Sequence, residues 1–329
     1  MKVLLPLVVV VAASLSALFL AGAGLQPVFG IVIPYAAIAT FLAGIVWRVV
    51  RWARSPVPFR IPTTCGQQKS LDFIRQDRLD NPFTGVEAFG RMALEVLLFR
   101  SLFRNTSARL TPDRRLVYGS EKYLWAAALA FHWSFLVVFV RHLRFFLDPV
   151  PGVVEALSGV DGFFQIGVPV LYLTDLVIVA AVTFLFLRRV VLPQVRYISL
   201  ASDYFPLFLI LGIALTGILM RYFFKTDLQA VKQLAIGLVT FEPVAPVEAS
   251  GLFYSHLFLV CLLFAYFPFS KLLHMAGVFL SPTRNLANNN RAERHVNPWN
   301  PEVKTHSYEE YEAEFHDLMK NAGYPLERE

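Results

Sequence analysis

Long apolar stretches alternate with polar segments along the chain, and six of them are long enough, or nearly so, for a membrane-spanning helix. They are Leu4–Ala23, Ile31–Val50, Tyr123–Leu147, Ile166–Leu187, Tyr204–Phe224 and Gly251–Leu280. A helix needs about 20 residues to cross a hydrocarbon core about 30 Å thick. The pattern therefore predicts an all-α integral membrane protein with a six-helix transmembrane bundle.

The first stretch also has features of a secretory signal, because it follows Lys2 and ends in small residues. Its apolar run is longer than the usual signal core of about 7–15 residues, and a second apolar stretch follows at once. We therefore expect a retained membrane anchor.

The composition supports a membrane protein. Hydrophobic residues occupy 56% of the 329 positions and charged residues only 16%, whereas charged residues make up about a quarter of soluble domains. The net charge of +6 comes largely from basic residues beside the apolar stretches, which favours membrane topology over a nucleic-acid partner. Two cysteines, Cys65 and Cys261, are too few for an iron–sulfur cluster, so we expect any such cluster on a partner.

Basic residues also predict the orientation of the bundle. Lys and Arg are frequent between the second and third stretches and recur between the fourth and fifth, but the loop from Asp148 to Gln165 has none. The positive-inside rule then places a large cytoplasmic loop, a cytoplasmic tail and both termini on the inner face of the cell membrane.

Within the large loop, Val86–Arg104 interleaves apolar side chains with Arg91, Arg100 and Arg104. This pattern predicts an amphipathic helix, either lying on the membrane with its arginines towards lipid headgroups or packed on a partner subunit. The tail from Ser281 to Glu329 is polar and too small to fold alone, which favours docking onto a cytoplasmic partner.

Four histidines lie inside two of the apolar stretches: His132 and His142 in the third, and His256 and His274 in the sixth. Ionisable groups are costly in a bilayer and usually mark a site, and neutral imidazole is a common axial ligand of haem iron. Two antiparallel helices with two histidines each can hold two haems, one towards each membrane face. The remaining three histidines, in the tail, are expected to be surface residues; they are His295, His306 and His316.

The spacing pairs His142 with His256 near the outer face and His132 with His274 near the inner face. Ten residues separate the first two histidines by about 15 Å along a helix, and eighteen separate the second two by about 27 Å. The outer pair therefore matches in depth, but the inner pair does not if both helices are straight. A kink at Pro268 or helix tilt offers a correction.

Three further polar residues are candidates for the same site. Arg141 and Arg144 bracket His142 and are candidates for pairing with haem propionates, although snorkelling to lipid headgroups is the alternative. Asp175, placed by the pattern in the middle of the fourth span, is a candidate for a proton path or a quinone hydrogen bond, or simply for a packing role.

The paired spacings of ten and eighteen resemble those of the respiratory nitrate reductase gamma-subunit family of membrane cytochromes b, over roughly Lys122 to Leu280. The tail segments Ser281-Pro-Thr-Arg-Asn, Asn288-Asn-Asn-Arg and His295-Val-Asn-Pro-Trp-Asn are similar to those of the membrane cytochrome (DsrM) of the sulfite-reduction-associated DsrMKJOP complexes. The additional first span and the large basic loop depart from the nitrate enzyme's pattern, so none of its quinol-binding residues is transferred.

The resemblance implies two haem b groups, with His142 and His256 on the outer haem and His132 and His274 on the inner one. It implies electron exchange between menaquinone or menaquinol and a cytoplasmic iron–sulfur subunit like that of heterodisulfide reductase, in dissimilatory sulfur metabolism. The implied partners include a further membrane subunit and periplasmic cytochrome c and iron–sulfur subunits. The chain is then an electron-transfer subunit of a quinol-linked oxidoreductase.

These expectations divide the chain into four parts: two transmembrane helices in residues 1–50, the loop in 51–122, a four-helix dihaem core in 123–280 and the docking tail in 281–329. Two alternatives stay open. One keeps the haems but assigns the subunit to a nitrate or heterodisulfide reductase, and the other is a haem-free transporter or scaffold that uses its membrane histidines for protons or packing.

Overall fold

The computed structural model describes residues 2–55, 68–69, 71–163, 169–246, 249–281, 283–293 and 304–327. The fold is mainly helical, as predicted. The helices are α1 (Leu4–Leu20), α2 (Ile33–Ala53), α3 (Gly85–Leu98), α4 (Arg100–Phe103), α5 (Lys122–His142), α6 (Gly152–Asp161), α7 (Leu173–Val191), α8 (Pro193–Ile198), α9 (Ala201–Tyr222), α10 (Leu228–Thr240), α11 (Gly251–Tyr266), α12 (His274–Gly277) and α13 (Tyr308–Asn321).

Five helical segments of the described chain are long and apolar enough to cross a membrane. They are Leu4–Leu25, Val28–Ala53, Lys122–Phe145, Ala201–Tyr222 and Gly251–Phe269. The protein is therefore a multi-pass membrane protein. We call the end of the bundle where α2 ends and α5 begins the loop end, and the other end the opposite end.

The fourth predicted span is not among these five, and its helix differs from the prediction. Helix α7 begins only at Leu173 and contains Asp175, Arg188 and Arg189, whereas the predicted start at Ile166 lies outside the described residues. Its 19 residues nevertheless correspond to about 28 Å of helix. Contacts at both of its ends show that α7 runs antiparallel along α5.

At the loop end, Arg188 of α7 contacts Glu121, the residue before α5, at 2.9 Å. At the opposite end, Thr174 of α7 lies 3.1 Å from the guanidinium of Arg141 in α5. Helix α7 thus extends over nearly the whole length of α5, which supports six crossings, although the count of six stays a prediction.

Helix α11 lies at the centre of the bundle, where it packs against α1, α2 and α9. Tyr254 and Leu259 of α11 are fully buried in these contacts. Helix α5 lies at the edge and packs along α7. In the described part of the chain, α5 and α11 are not a closely packed pair.

The last predicted span is not one continuous helix to Leu280. Helix α11 ends at Tyr266, and short turns lead to α12, which begins at His274. The helix stops because Pro268 lacks an N–H group and Ser270 adopts an extended conformation in which its hydroxyl accepts from Leu272 N at 3.1 Å. Helix α2 approaches closely here, since a Cβ atom on Gly44 would lie 2.7 Å from Pro268 Cβ.

The predicted amphipathic helix is present but broken at Phe99, which has a φ of 50° and separates α3 from α4. Helix α3 begins with a capping box, in which Thr84 accepts from Glu87 N and Glu87 accepts from Thr84 N. Its carboxyl end lies on α5, because the indoles of Trp125 and Trp133 donate to carbonyl groups in the last turn of α3.

The arginines of this segment turn towards the loop itself instead of towards lipid. Arg100 and Arg104 both pair with the buried carboxylate of Asp80, and Arg91 donates to the Asp80 carbonyl at 3.2 Å. The hydrogen bond from Arg100 is the main reason that the pKa of Asp80 is lowered to about 2. Asp80 therefore anchors to the loop the segment that the sequence pattern placed either on the membrane surface or on a partner subunit.

Two features of the loop and tail had no sequence signal. A hairpin of β1 (Thr106–Leu110) and β2 (Leu116–Ser120) precedes α5. The first part of the tail packs on the loop, where Arg284 pairs with Glu95 and Asn288 N donates to the Pro82 carbonyl at 2.5 Å. Loop and tail thus lie at the same end of the bundle.

Candidate haem-ligating site

The four membrane histidines form two facing pairs. The ring centroids of His142 and His256 are 6.4 Å apart, and the rings are within 15° of parallel. The centroids of His132 and His274 are 5.9 Å apart, with the rings nearly perpendicular. The first pair lies at the opposite end of the bundle and the second lies towards the loop end, which is the pairing predicted from the spacing.

The break in the last span removes the depth mismatch of the second pair. A straight helix from His256 to His274 would place the two rings about 27 Å apart along its axis. The turns after Tyr266 shorten this path, so that His274 reaches the depth of His132 in the middle of α5. The predicted kink at Pro268 is therefore present, followed by a second change of direction at Ser270.

Every one of the four rings has its Nδ1 atom engaged by the protein. Nδ1 of His132 lies 2.7 Å from the Ala128 carbonyl, and Nδ1 of His142 lies 2.7 Å from the Val138 carbonyl. Nδ1 of His274 lies 2.9 Å from the carbonyl of Lys271. Each carbonyl requires an N–H donor, so these three rings carry their proton on Nδ1 and leave the lone pair on Nε2.

His256 reaches the same state through a different residue. Its Nδ1 lies 2.9 Å from the hydroxyl of Thr216 on α9, and that hydroxyl lies 2.8 Å from the Gly212 carbonyl. The hydroxyl donates to the carbonyl and accepts from the imidazole. Gly217 allows the close approach, because a Cβ atom there would lie 3.3 Å from His256 Cε1.

The geometry fits iron ligated by two imidazoles. Two metal–imidazole bonds of about 2 Å, with about 1 Å from each nitrogen to its ring centre, place the two centres about 6 Å apart. Ordinary aromatic pairs also have centroids in this range, so the separation alone does not identify a ligand. The discriminating feature is the fixed Nδ1 proton in all four rings, which is the usual arrangement of metal-bound histidine.

The predicted propionate partners beside His142 have different environments. Arg141 is buried and pairs with Asp161, and its second terminal nitrogen lies 3.6 Å from Asp175 Oδ1. Arg144 donates to the Arg141 carbonyl at 2.8 Å and to the Ser158 hydroxyl at 3.0 Å. Two carboxylates already balance the charge of Arg141, and these contacts link α5, α6 and α7.

Asp175 lies in the first turn of α7, at the opposite end of the bundle, and not in the middle of a span as the pattern suggested. The difference arises because α7 begins later than the apolar stretch. Asp175 Oδ2 accepts a hydrogen bond of 2.9 Å from the Tyr222 hydroxyl. The guanidinium carbons of Arg141 and Arg221 lie 3.5 and 4.0 Å from the ring centre of Tyr172, so charged and aromatic groups form one cluster beside His142.

A cavity of 810 Å³ opens beside His274 at the loop end. Its lining includes three cationic side chains, from Arg48, Lys271 and Arg284. No sequence pattern links these residues or Thr216 to the histidines. Thr216 is 40 positions from His256 along the chain, and Arg48 lies on a separate helix from His274, so only helix packing brings these two residues to the site.

Some of the residues considered above lie outside the described residues. They include Cys65, His295 and the segment His295-Val-Asn-Pro-Trp-Asn that contributed to the resemblance. His306, by contrast, is described; it lies in the tail with its ring 3.7 Å from Glu314 and half of its side chain exposed.

Comparison with known proteins gives a consistent result. The model of the nitrate reductase gamma subunit family matches residues 92–290, which extends the resemblance from the bundle into α3 and the start of the tail. A relative from Archaeoglobus fulgidus named "Hdr-like menaquinol oxidoreductase cytochrome b-like subunit" is 50% identical over 83% of this chain and 84% of its own length. A relative of the same name from Archaeoglobus profundus is 45% identical over 82% of each chain. The chain therefore belongs to the nitrate reductase gamma subunit family of membrane proteins.

Proposed function

We propose that the chain is the dihaem cytochrome b subunit of a respiratory membrane complex. It exchanges electrons between menaquinol or menaquinone and a cytoplasmic iron–sulfur subunit that resembles heterodisulfide reductase. The observation that supports this most directly is the pair of facing histidine sets, His142 with His256 and His132 with His274, at two depths of one bundle.

The residues of the chain hold and orient the two groups. The Nδ1 hydrogen bonds leave the Nε2 lone pair free on all four rings, and the rings lie in two close pairs. His132 and His142 are about 15 Å apart along α5. Haem b, when bound, supplies reversible one-electron transfer at each set. The half-buried ring of His132 packs against Phe99 and Phe131, each with a centroid separation of 4.9 Å, which limits its rotation.

Menaquinol is the proposed electron donor because the two relatives are named menaquinol oxidoreductase subunits. Oxidation of one menaquinol releases two electrons and two protons. We place this step beside His142, where Asp175 and its partner Tyr222 are the candidate groups for receiving a proton. The positive-inside rule puts this end outside the cytoplasm, so the protons leave outward and the electrons move inward.

The loop end is the proposed docking face for the cytoplasmic iron–sulfur subunit. The loop and the first part of the tail lie together there, and apolar side chains of α3 such as Val86 and Phe89 are 82% and 75% exposed. Further membrane and periplasmic cytochrome c or iron–sulfur subunits, and a role in dissimilatory sulfur metabolism, follow from the resemblance to the DsrM family. The alternative is that the chain is the cytochrome b subunit of a nitrate reductase or heterodisulfide reductase complex.

The test is a dithionite-reduced minus oxidised spectrum of the purified chain, with haem quantified per chain. We expect two haem b groups in the wild type and about one in each of His142→Ala and His274→Ala. His306→Ala is the matched control, because that histidine lies in the tail, and it should retain both groups.

A folded preparation without haem would rule out the cytochrome and favour the haem-free transporter or scaffold. Retention of both haems in His142→Ala and His274→Ala would refute these ligand assignments. Where two haems are present, reduction by a menaquinol analogue tests the donor. Co-purification of the wild-type chain from its native membrane then identifies the partner complex.

A further inference from the structure

Arg48 is a cation near the loop end of the membrane-spanning segment Val28–Ala53, and no described residue provides it with a counter-charge. Among the described residues it makes no ion pair, and its Nε atom is buried without a hydrogen-bond partner. Its guanidinium carbon lies 5.9 and 5.6 Å from the rings of Trp47 and Trp52, which hold it in place without neutralising it. A charge in this position requires an anionic or hydrogen-bonding partner.

The cavity of 810 Å³ that Arg48 lines is the one lined by His274. Its other two cations have protein partners: Lys271 lies 2.7 Å from Asp203, and Arg284 pairs with Glu95. Among the described residues, carboxylates therefore balance the positive charges of Lys271 and Arg284, whereas the charge of Arg48 is not balanced. The volume is within the range of about 300–1,000 Å³ that is typical of small-molecule and cofactor sites.

We propose that Arg48 binds a propionate carboxylate of the haem held by His132 and His274. The planar guanidinium matches a carboxylate through two parallel hydrogen bonds, and Arg48 lines the cavity beside His274. This inference rests on the proposed function, since it requires a haem at that histidine pair. It assigns the site a residue from α2, which lies outside residues 92–290 that match the family model.

A fixed positive charge beside a haem favours the reduced state, because reduction adds one negative charge. Removing the charge should therefore lower the reduction potential of that haem and leave the other unaffected. The neighbouring Arg51 provides a matched control: it is exposed, lies on the same helix and contacts Trp47, but it does not line the cavity.

The experiment is a potentiometric titration of both haems in the purified full chain, for the wild type, Arg48→Gln, Arg48→Lys and Arg51→Gln. In Arg48→Gln we expect the haem held by His132 and His274 to become at least tenfold harder to reduce, a shift of about 59 mV for one electron. Arg48→Lys keeps the charge but not the planar fork, so a smaller shift is expected. Arg51→Gln should titrate like the wild type.

The haem that shifts is assigned in the His142→Ala chain, which retains only the haem at His132 and His274. Unchanged potentials in both Arg48 variants would overturn the proposal. If Arg48→Gln does not accumulate, the Arg48→Lys titration decides, because a potential equal to that of the wild type contradicts bidentate binding. Absence of haem from the wild type refutes the proposed function and not this contact alone.

Discussion

Thr216 sets the orientation of a ring 40 positions away along the sequence. It is buried in α9, and its hydroxyl is the acceptor for His256 Nδ1. The other three histidines use carbonyl groups three or four residues earlier in their own segments. His256 is therefore the one of the four whose Nδ1 hydrogen bond comes from a second helix, and the orientation of its ring depends on the packing of α9 against α11.

Thr216→Val tests this dependence. The substitution keeps the side-chain volume but removes the acceptor, so the buried His256 N–H loses its partner. Loss of such an outer partner typically weakens metal binding about 10–100-fold. We expect the haem held by His142 and His256 to be depleted, with the other retained, as measured by haem per chain and reduced-minus-oxidised spectra.

The controls for that substitution separate orientation from folding. Thr216→Ser keeps the hydroxyl and should bind haem like the wild type. Thr240→Val removes an exposed hydroxyl on α10 that donates to the Ile236 carbonyl, and it should have no effect. Equal haem content in Thr216→Val and the wild type would show that His256 does not need this partner.

At the scale of elements, the break after α11 and the docking of α3 both serve the loop-end histidine pair. Extended Ser270 turns the chain so that His274 faces His132. The left-handed conformation of Phe99 ends α3 and places its ring against His132. Gly44 is required where α2 meets the break, because a larger side chain would overlap Pro268. The break after α11 and the end of α3 therefore converge on one imidazole pair, and α2 packs on the break.

The Asp80 cluster predicts how the loop responds to acid. The pKa of Asp80 is lowered from 3.8 to about 2, and the largest cause is the hydrogen bond from Arg100. A carboxyl group whose pKa is lower in the folded than in the unfolded protein stabilises the fold at pH values above its unfolded-state pKa. This stabilisation is lost as the pH falls through the folded-state pKa. We expect hydrogen-exchange protection of residues 77–104 to be constant above about pH 4 and to fall towards about pH 2.

Asp80→Asn should abolish this pH dependence and lower the protection of the same residues at neutral pH. Asp113→Asn is the control, because Asp113 is exposed and pairs with Arg115 in the hairpin turn, and it should behave like the wild type. If wild-type protection does not change between about pH 4 and 2, then the Asp80 ion pairs do not stabilise the loop.

At the scale of the whole molecule, charges differ between the two ends of the bundle. The loop end holds the basic loop and the tail, joined by the Arg284–Glu95 pair. At the opposite end, Arg141 is neutralised within the protein by Asp161 and Asp175. A buried pair of this kind is costly to break, by about 3–5 kcal/mol, because the remaining charge is left without a partner.

Because basic residues favour the cytoplasmic side of a membrane, this asymmetry predicts that the loop end faces the cytoplasm. Single cysteines are introduced in a chain carrying Cys65→Ser and Cys261→Ser, at exposed positions of the loop, the tail and α6. The substitutions are Asp72→Cys, Glu314→Cys and Glu155→Cys. An impermeant maleimide added to sealed right-side-out vesicles should label only Glu155→Cys, and the other two should be labelled after lysis. Labelling of the loop from outside would reverse the proposed direction of proton release.

The sequence by itself determined the membrane class, most of the spanning helices, the four candidate ligands and their pairing. These features are local, since a run of apolar residues and a spacing along one helix depend only on the chain between their ends. The histidine spacing also showed that a straight helix from His256 to His274 would leave His274 at a different depth from His132. Pro268, between the two histidines, indicated where the helix bends.

Only the tertiary structure decided which groups complete each histidine pair. Thr216 and Phe99 contact the histidines from another helix and from the loop, and Arg48 lines the cavity beside His274. The late start of α7 places Asp175 at the opposite end. Arg100 and Arg104, for which the sequence pattern left open lipid headgroups or a partner subunit, pair with Asp80. A hydrophobic or helical period encodes which face of a segment is buried, but not which distant segment covers it; that choice is made by side-chain packing and charge pairing between segments far apart in sequence.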